Sequence, residues 1–377
     1  MYYFDNSATT QPNPEVLETY QKVAQQCFAN PSSIHALGVL AQKLLSQARE
    51  QVATLLHVQP KEVYFTSSGT EANNWVMQSM VPALNHMRPD AKRILISAIE
   101  HPSISEQISW LQAQGFDVQQ IPVNADGMID IMALEQLLDA NTLLISTMAI
   151  NNEVGSVQPL NQMATLLNQY PQIIWHVDGV QAVTTQFEQL TNERIDAVTL
   201  SGHKFHAGRG AGILMMKQRV SSQPFLYGGG QESGLRSGTE NLASIVATAK
   251  ALRLAVAAQD EVKLRLQAYR QDIIAALEEH KWIVFAKESA SEHIICAAFP
   301  TIPGEVLVHA FEAKYVMVST TSACSSRKHQ QHHTLAAMSV PEHLSTSAIR
   351  ISMASTTTQA DVTALIKAIE TVTAQFN

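Results

Sequence analysis

The stretch Ser201-Gly202-His203-Lys204-Phe205-His206-Ala207-Gly208-Arg209-Gly210 sets one lysine among serine, histidines and glycines. It follows an apolar run, Ile195-Asp196-Ala197-Val198-Thr199-Leu200, that reads as a buried strand ending in polar residues. A solvated surface lysine needs no such neighbours. A lysine that must be held, desolvated and partly deprotonated does. The chemistry this suggests is a Schiff base at Lys204.

Parallel sheets bind ligands beyond the carboxyl ends of their strands, so further site residues are expected at the other strand ends. Ser67-Ser68-Gly69-Thr70-Glu71-Ala72 joins a strand to a helix and could hold a phosphate on its N–H groups and hydroxyl. By itself it reads more readily as an ordinary helix cap. Glu100-His101-Pro102, Asn151-Asn152-Glu153-Val154-Gly155 and the Asp178…Gln181 pair stand at three further strand ends. A lone histidine there is more often structural, and a lone aspartate more often caps the next helix. Taken together they differ from chance. A lysine for a Schiff base and a carboxylate for a pyridinium nitrogen are the two protein groups that pyridoxal 5′-phosphate most needs.

The elements that must position these residues follow from periodicity. Strands are expected at 62–66, 93–97, 117–121, 142–147, 173–177, 197–200 and 213–216, alternating with helices at 70–87, 103–114, 129–138 and 160–169. Two helices precede them, at 13–28 and 36–56, and a long one follows at about 242–280. The rest reads as strand 293–299, helix 304–313, short strand 316–319, a helix, strand 348–353 and a terminal helix 359–376. The fold class is therefore α/β. A large domain, 13–255, carries a mostly parallel sheet flanked by helices. A smaller α/β domain is expected from residues 1–12 and 256–377.

Composition limits the rest. The chain has 377 residues, 46% of them hydrophobic and 15% charged, which is neither disordered nor strongly polar. A formal net charge of −8 argues mildly against a nucleic-acid surface. Three cysteines without regular spacing (Cys27, Cys296, Cys324) are no disulfide framework and suit a reduced, cytoplasmic setting. Neither a signal peptide nor a membrane span is expected.

At this point the motifs resemble, almost end to end, those of the cysteine desulfurases, the NifS/IscS-like branch of the pyridoxal-phosphate enzymes related to class V aminotransferases. The likeness rests on Asp5–Thr10, Asn30–His35, Thr66–Asn74, Glu100-His101, Asn151–Gly155, Asp178–Gln181 and Ser201–Gly212. It extends through Gly228–Glu232, Arg236–Asn241, Ser322–Ser326 and Ile349–Ser352.

The resemblance implies pyridoxal-phosphate fold type I and a role for each matching residue. Lys204 would carry the cofactor covalently. His101 would stack on its ring and assist proton transfer. Asp178 would face the ring nitrogen, and Gln181 the ring hydroxyl. Gly69, Thr70, Ser201 and His203 would hold the phosphate. Thr239 would reach the phosphate of a neighbouring subunit, implying a homodimer with shared active sites. Asn152 would serve cofactor and substrate, and Arg350 the carboxylate of L-cysteine, for which its fork is suited.

Cys324, in the small polar run Ser322-Ala323-Cys324-Ser325-Ser326, would be the nucleophile on a loop that moves. It would take the substrate sulfur as a persulfide, release L-alanine and pass sulfur to an acceptor, either an iron–sulfur scaffold or a thio-modification enzyme. Other readings are a selenocysteine lyase or other pyridoxal-phosphate lyase or aminotransferase not using Cys324, and a non-catalytic assembly subunit. Two departures from the family pattern stand out. Ser233 takes the place of a usual arginine, and Arg327–His333 replaces a simpler segment after the cysteine. A metal site made by Cys324 with His329, His332 and His333 is conceivable, but a partner-facing loop is the preferred reading.

Overall fold

The structure is a computed structural model and describes residues 1–321 and 333–376. Cys324, His329 and His332 lie outside the described residues.

Strand β1 (Tyr2–Tyr3) opens the chain, and the large sheet follows. Its strands are β2 (Val63–Thr66), β3 (Arg93–Ser97), β4 (Asp117–Ile121), β5 (Thr142–Met148), β6 (Ile174–Asp178), β7 (Ala197–Ser201) and β8 (Gly212–Met216). In space they run β2-β8-β7-β6-β5-β3-β4. β8 is antiparallel to both β2 and β7, and the other pairings are parallel. Strands buried on both faces explain the continuous apolar runs. Ile94 and Ile96 enter the core under helix 69–87, whereas Leu95 between them enters the core on the opposite face.

The second half builds a smaller antiparallel sheet. It contains β9 (Ile283–Phe285), β10 (Ile294–Ala298), β12 (Ser319–Thr320) and β13 (Ala348–Ser352), in the order β12-β13-β10-β9. β11 (Val316–Met317) pairs in parallel with β1 at the chain start. Phe4 is fully buried in the same core as Val262, Phe311, Ile351 and Ile369. Asp5 bridges Ser352. The extended N-terminus thus lies beside the strand that carries Arg350.

The long helical region differs from its sequence reading. It is two helices, Leu242–Ala257 and Gln259–Glu279, bent by 65°. The buried Gln259 side chain donates to the Val183 carbonyl and accepts from the Phe187 N–H, at 2.9 and 3.2 Å. A polar side chain that satisfies a buried turn fixes the bend where neither proline nor glycine would have announced it. β9 was also missed, being only three residues long with Ile283 exposed. No single described helix is long and apolar enough to cross a membrane.

Candidate active site

The strand ends of β5, β6 and β7, the start of helix 69–87 and β13 converge on one cavity of about 330 Å³. Its walls include Gly69, Thr70, His101, Asn152, Asp178, Gln181, Ser201, His203, Lys204 and Arg350. These are ten of the twelve residues singled out in the sequence; Cys324 lies outside the described residues, and Thr239 is different. It is exposed and does not line this cavity.

Lys204 sits in a single 3-10 turn, Gly202–Lys204, directly after β7. Its ammonium donates to the Ser7 carbonyl and, at 2.9 Å, to the Ala8 carbonyl. The N-terminal segment clamps the lysine loop along its length. Thr10 donates from both its N–H and its hydroxyl to the His203 carbonyl, each at 2.9 Å. The His206 N–H donates to Thr10 Oγ1 at 2.8 Å. Arg209, three residues beyond the clamp's last contact at His206, is exposed.

One end of the cavity is rich in donors. Gly69 opens its helix with its N–H toward Ser201 Oγ at 3.3 Å, and Ser68 caps the helix through the Glu71 N–H. A Cβ at position 69 would stand 3.0 Å from Val180 Cγ2 and 3.2 Å from Ser201 Cβ, so glycine lets the backbone approach this wall. His203 places Nδ1 3.2 Å from Thr9 Oγ1. Burial, then the Lys204 and Arg209 charges, hold its pKa down at about 4, so its ring is neutral.

Asp178, buried at the end of β6, also lines the cavity. Its Oδ2 accepts from Asn73 Nδ2 at 2.8 Å and its Oδ1 from the Val180 N–H at 3.0 Å. Gln181 Nε2 donates to the Ser7 carbonyl at 3.0 Å. Two residues earlier on the strand, His176 is enclosed between Ser146 Oγ and Thr199 Oγ1, at 2.9 and 3.0 Å. Burial holds it at about 4.

At the third side, Arg350 is only 4% exposed. It donates to the Asn152 carbonyl and to Asp5 Oδ1, both at 2.8 Å, and its Nε has no partner among the described residues. The Asn151–Gly155 turn is shaped by Asn151 Oδ1, which accepts from the N–H groups of Glu153 and Val154. Thr321 lines the cavity too.

Sequence reasoning missed several members. The carbonyls of Ser7 and Ala8 are backbone groups and carry no residue-type signal. Asn73 lies one helical turn after Gly69, a spacing that places both on one face. Ser103 stands two residues after His101. Glu100 is buried and donated to by the Met148 N–H at 2.6 Å; burial and the Asp178 carboxylate push it well above the usual carboxylate range. Burial pushes Glu153 up to about 7, against the pull of Arg350 and Thr334.

The arrangement suits pyridoxal 5′-phosphate. N–H and hydroxyl donors at one end match a phosphate. A buried carboxylate with no cationic partner among the described residues matches a protonated ring nitrogen. A lysine held on carbonyls lies on the same cavity, and a guanidinium with donor capacity to spare matches a carboxylate. The other two cysteines are placed elsewhere. Cys296 is fully buried, where desolvation raises its pKa, and Cys27 is half-buried at a helix end.

Comparison with known proteins points the same way. The profile of the family described as aminotransferase class-V matches residues 2–365. A NifS/IcsS protein homolog of Lactobacillus delbrueckii subsp. bulgaricus is 42% identical over 100% of this chain and 98% of its own. Cysteine desulfurase IscS of Methanosarcina thermophila is 34% identical over 97% of this chain and 90% of its own. Among solved structures, a NifS-like protein superposes with a TM-score of 0.92 at 33% identity, covering 100% of both chains. A structure described as SspA in complex with cysteine has a TM-score of 0.80 at 27% identity, covering 94% of this chain and 99% of that one.

Proposed function

The chain belongs to the class-V aminotransferase family, as a pyridoxal-phosphate-dependent cysteine desulfurase, and we propose that Lys204, Cys324 and Arg350 carry its reaction. The observation that supports this division is the shared cavity of Lys204, Asp178 and Arg350. When bound, the cofactor supplies an electron sink that makes the substrate Cα–H acidic. Lys204 would hold the cofactor covalently, and its amine would move the proton at the substrate Cα. Asp178 would keep a positive charge on the ring nitrogen, and Gln181 would serve the ring hydroxyl. Gly69, Thr70, Ser201 and His203 hold the phosphate, with Thr239 of a second copy added in a homodimer. His101 would serve the ring face, and Asn152 and Arg350 would hold the substrate carboxylate.

The sulfur step needs a nucleophile, assigned to Cys324. Its thiolate forms an S–S bond with the substrate sulfur while the substrate C–S bond breaks. The electron pair of that bond stays with carbon, which is then protonated and leaves as L-alanine. The persulfide on Cys324 passes to an acceptor protein, an iron–sulfur scaffold or a thio-modification enzyme, in the cytoplasm.

The test is Cys324→Ala in the cofactor-loaded enzyme, assayed for alanine and sulfide from L-cysteine. Loss of both, with the visible cofactor band retained, supports the reading. Persistent alanine formation from L-cysteine, or from L-selenocysteine alone, would replace it with a lyase that does not use Cys324.

A further inference from the structure

A continuous hydrogen-bond chain joins Asp178 to His101 through two residues that the reaction does not otherwise use. Asn73 Nδ2 donates to Asp178 Oδ2 and to Ser103 Oγ, each at 2.8 Å. Ser103 Oγ lies 2.8 Å from His101 Nδ1, and the Ser103 N–H also donates to that nitrogen at 3.1 Å. Asn73, Ser103 and Asp178 are all buried.

Donor and acceptor chemistry leaves this chain one direction. An ionised carboxylate only accepts, so the Asn73 group facing Asp178 is its NH₂. Turning the amide over would set two oxygens against each other and leave the NH₂ unused. The orientation holds even though Asn73 Oδ1 then has no partner among the described residues. The second Asn73 hydrogen goes to Ser103 Oγ, so the Ser103 hydroxyl hydrogen is free to point onward to His101 Nδ1. Nδ1 therefore accepts from two donors and cannot itself carry hydrogen. The proton of the neutral imidazole is on Nε2.

We propose that Asn73 and Ser103 are positioning residues that lock His101 as a neutral ring with its proton on Nε2, tied to the charge of Asp178. The chain is not a proton wire. To shed the Nε2 proton, His101 would have to take one at Nδ1 from Ser103, and the amide of Asn73 has none to replace it. His101 thus presents a flat uncharged ring and one fixed donor, and proton movement at the substrate falls to Lys204. Burial disfavours a second proton on the ring; of the charged groups around it, Asp178 favours one and Lys204 disfavours it. The tautomer follows from hydrogen bonds alone; only its use against a cofactor ring rests on the function proposed above.

The test is nitrogen NMR of the ¹⁵N-histidine-labelled protein as purified, with the His101 signals identified by their loss in His101→Gln. The expected pattern is a pyridine-like Nδ1 and a pyrrole-like Nε2 from pH 6 to 8. Ser103→Ala removes the hydroxyl donor but keeps the N–H. It is expected to mix the tautomers and raise the His101 titration midpoint by about one unit, a tenfold gain in proton affinity. Ser103→Thr, which keeps the hydroxyl, is expected to restore the wild-type pattern. Asn73→Asp is expected to draw the Ser103 hydroxyl away from Nδ1 and shift the midpoint in the same sense. A wild-type ring protonated on Nδ1, or a Ser103→Ala ring with unchanged tautomer and midpoint, would overturn the proposal. Because these readouts need no turnover, failure of the desulfurase reading would leave them intact.

Discussion

Arg350 donates through Nη2 to Asp5 Oδ1 at 2.8 Å, joining residues 345 positions apart in the chain. Asp5 belongs to the segment that clamps the lysine loop, and Arg350 to β13 of the smaller sheet. The contact therefore aims the expected carboxylate-binding group from the same strip of chain that holds Lys204. Asp5→Asn keeps an acceptor but removes its charge. It is expected to raise KM for L-cysteine about tenfold, since a charged hydrogen bond contributes about 1.5–3 kcal/mol, and to leave kcat nearly unchanged. Steady-state kinetics with both parameters resolved checks this.

Arg350→Lys keeps the charge and loses the fork. The expected outcome is a rise in KM of about 10- to 100-fold, from the loss of a second charged hydrogen bond. Bound-cofactor absorbance should not change, because Arg350 is assigned to the substrate. A variant that instead loses its cofactor would place Arg350 elsewhere in the site.

Lys204→Ala should abolish turnover. Borohydride treatment of the wild type should bleach the visible band and leave the reduced cofactor's mass on the peptide containing Lys204. Peptide mass spectrometry of both proteins tests the assignment directly, and label on any other lysine would refute it.

Gly69→Ala adds a methyl group 3.0 Å from Val180 and 3.2 Å from Ser201. Both neighbours are side-chain carbons on the cavity wall that can shift, so the change should cost the fold about 1–3 kcal/mol without unfolding it. The phosphate end should narrow, with cofactor affinity falling at least about tenfold, equivalent to about 1.4 kcal/mol. Cofactor titration beside thermal melts separates the two effects.

Glu153 provides a pH test. Its folded pKa, raised from 4.5 to about 7 by burial, lies above its unfolded value. Between those values the folded state binds the extra proton, so rising pH weakens the fold through this window. Glu153→Gln removes the titration. Relative to wild type, the variant should gain up to about 3 kcal/mol in unfolding free energy between pH 4.5 and pH 8. Urea melts of both proteins at the two pH values give the comparison, and a parallel pH response in the two would contradict the burial argument.

Much of the candidate site was legible in the sequence because its residues follow apolar strands. The period of those strands marks where each one ends, and the ligand-binding edge of a parallel sheet is made of such ends. Lys204, Asp178, His101 and Gly69-Thr70 could be read for that reason. Thr239 was legible only through resemblance, and the chain by itself leaves it exposed and away from this cavity.

What the sequence determined by itself was the order of strands and helices and the kinds of group standing at their ends. Local hydrophobic period and turn chemistry suffice for that. Tertiary structure decided which groups touch. The Ser7 and Ala8 carbonyls reach Lys204, Asp5 aims Arg350, Gln259 bends the long helix, and Asn73 with Ser103 orients His101 toward a tied proton. These contacts depend on backbone carbonyls or on buried polar side chains paired across large chain separations. Such pairings leave no periodic trace, because a buried polar group takes its meaning from the partner that folding brings to it.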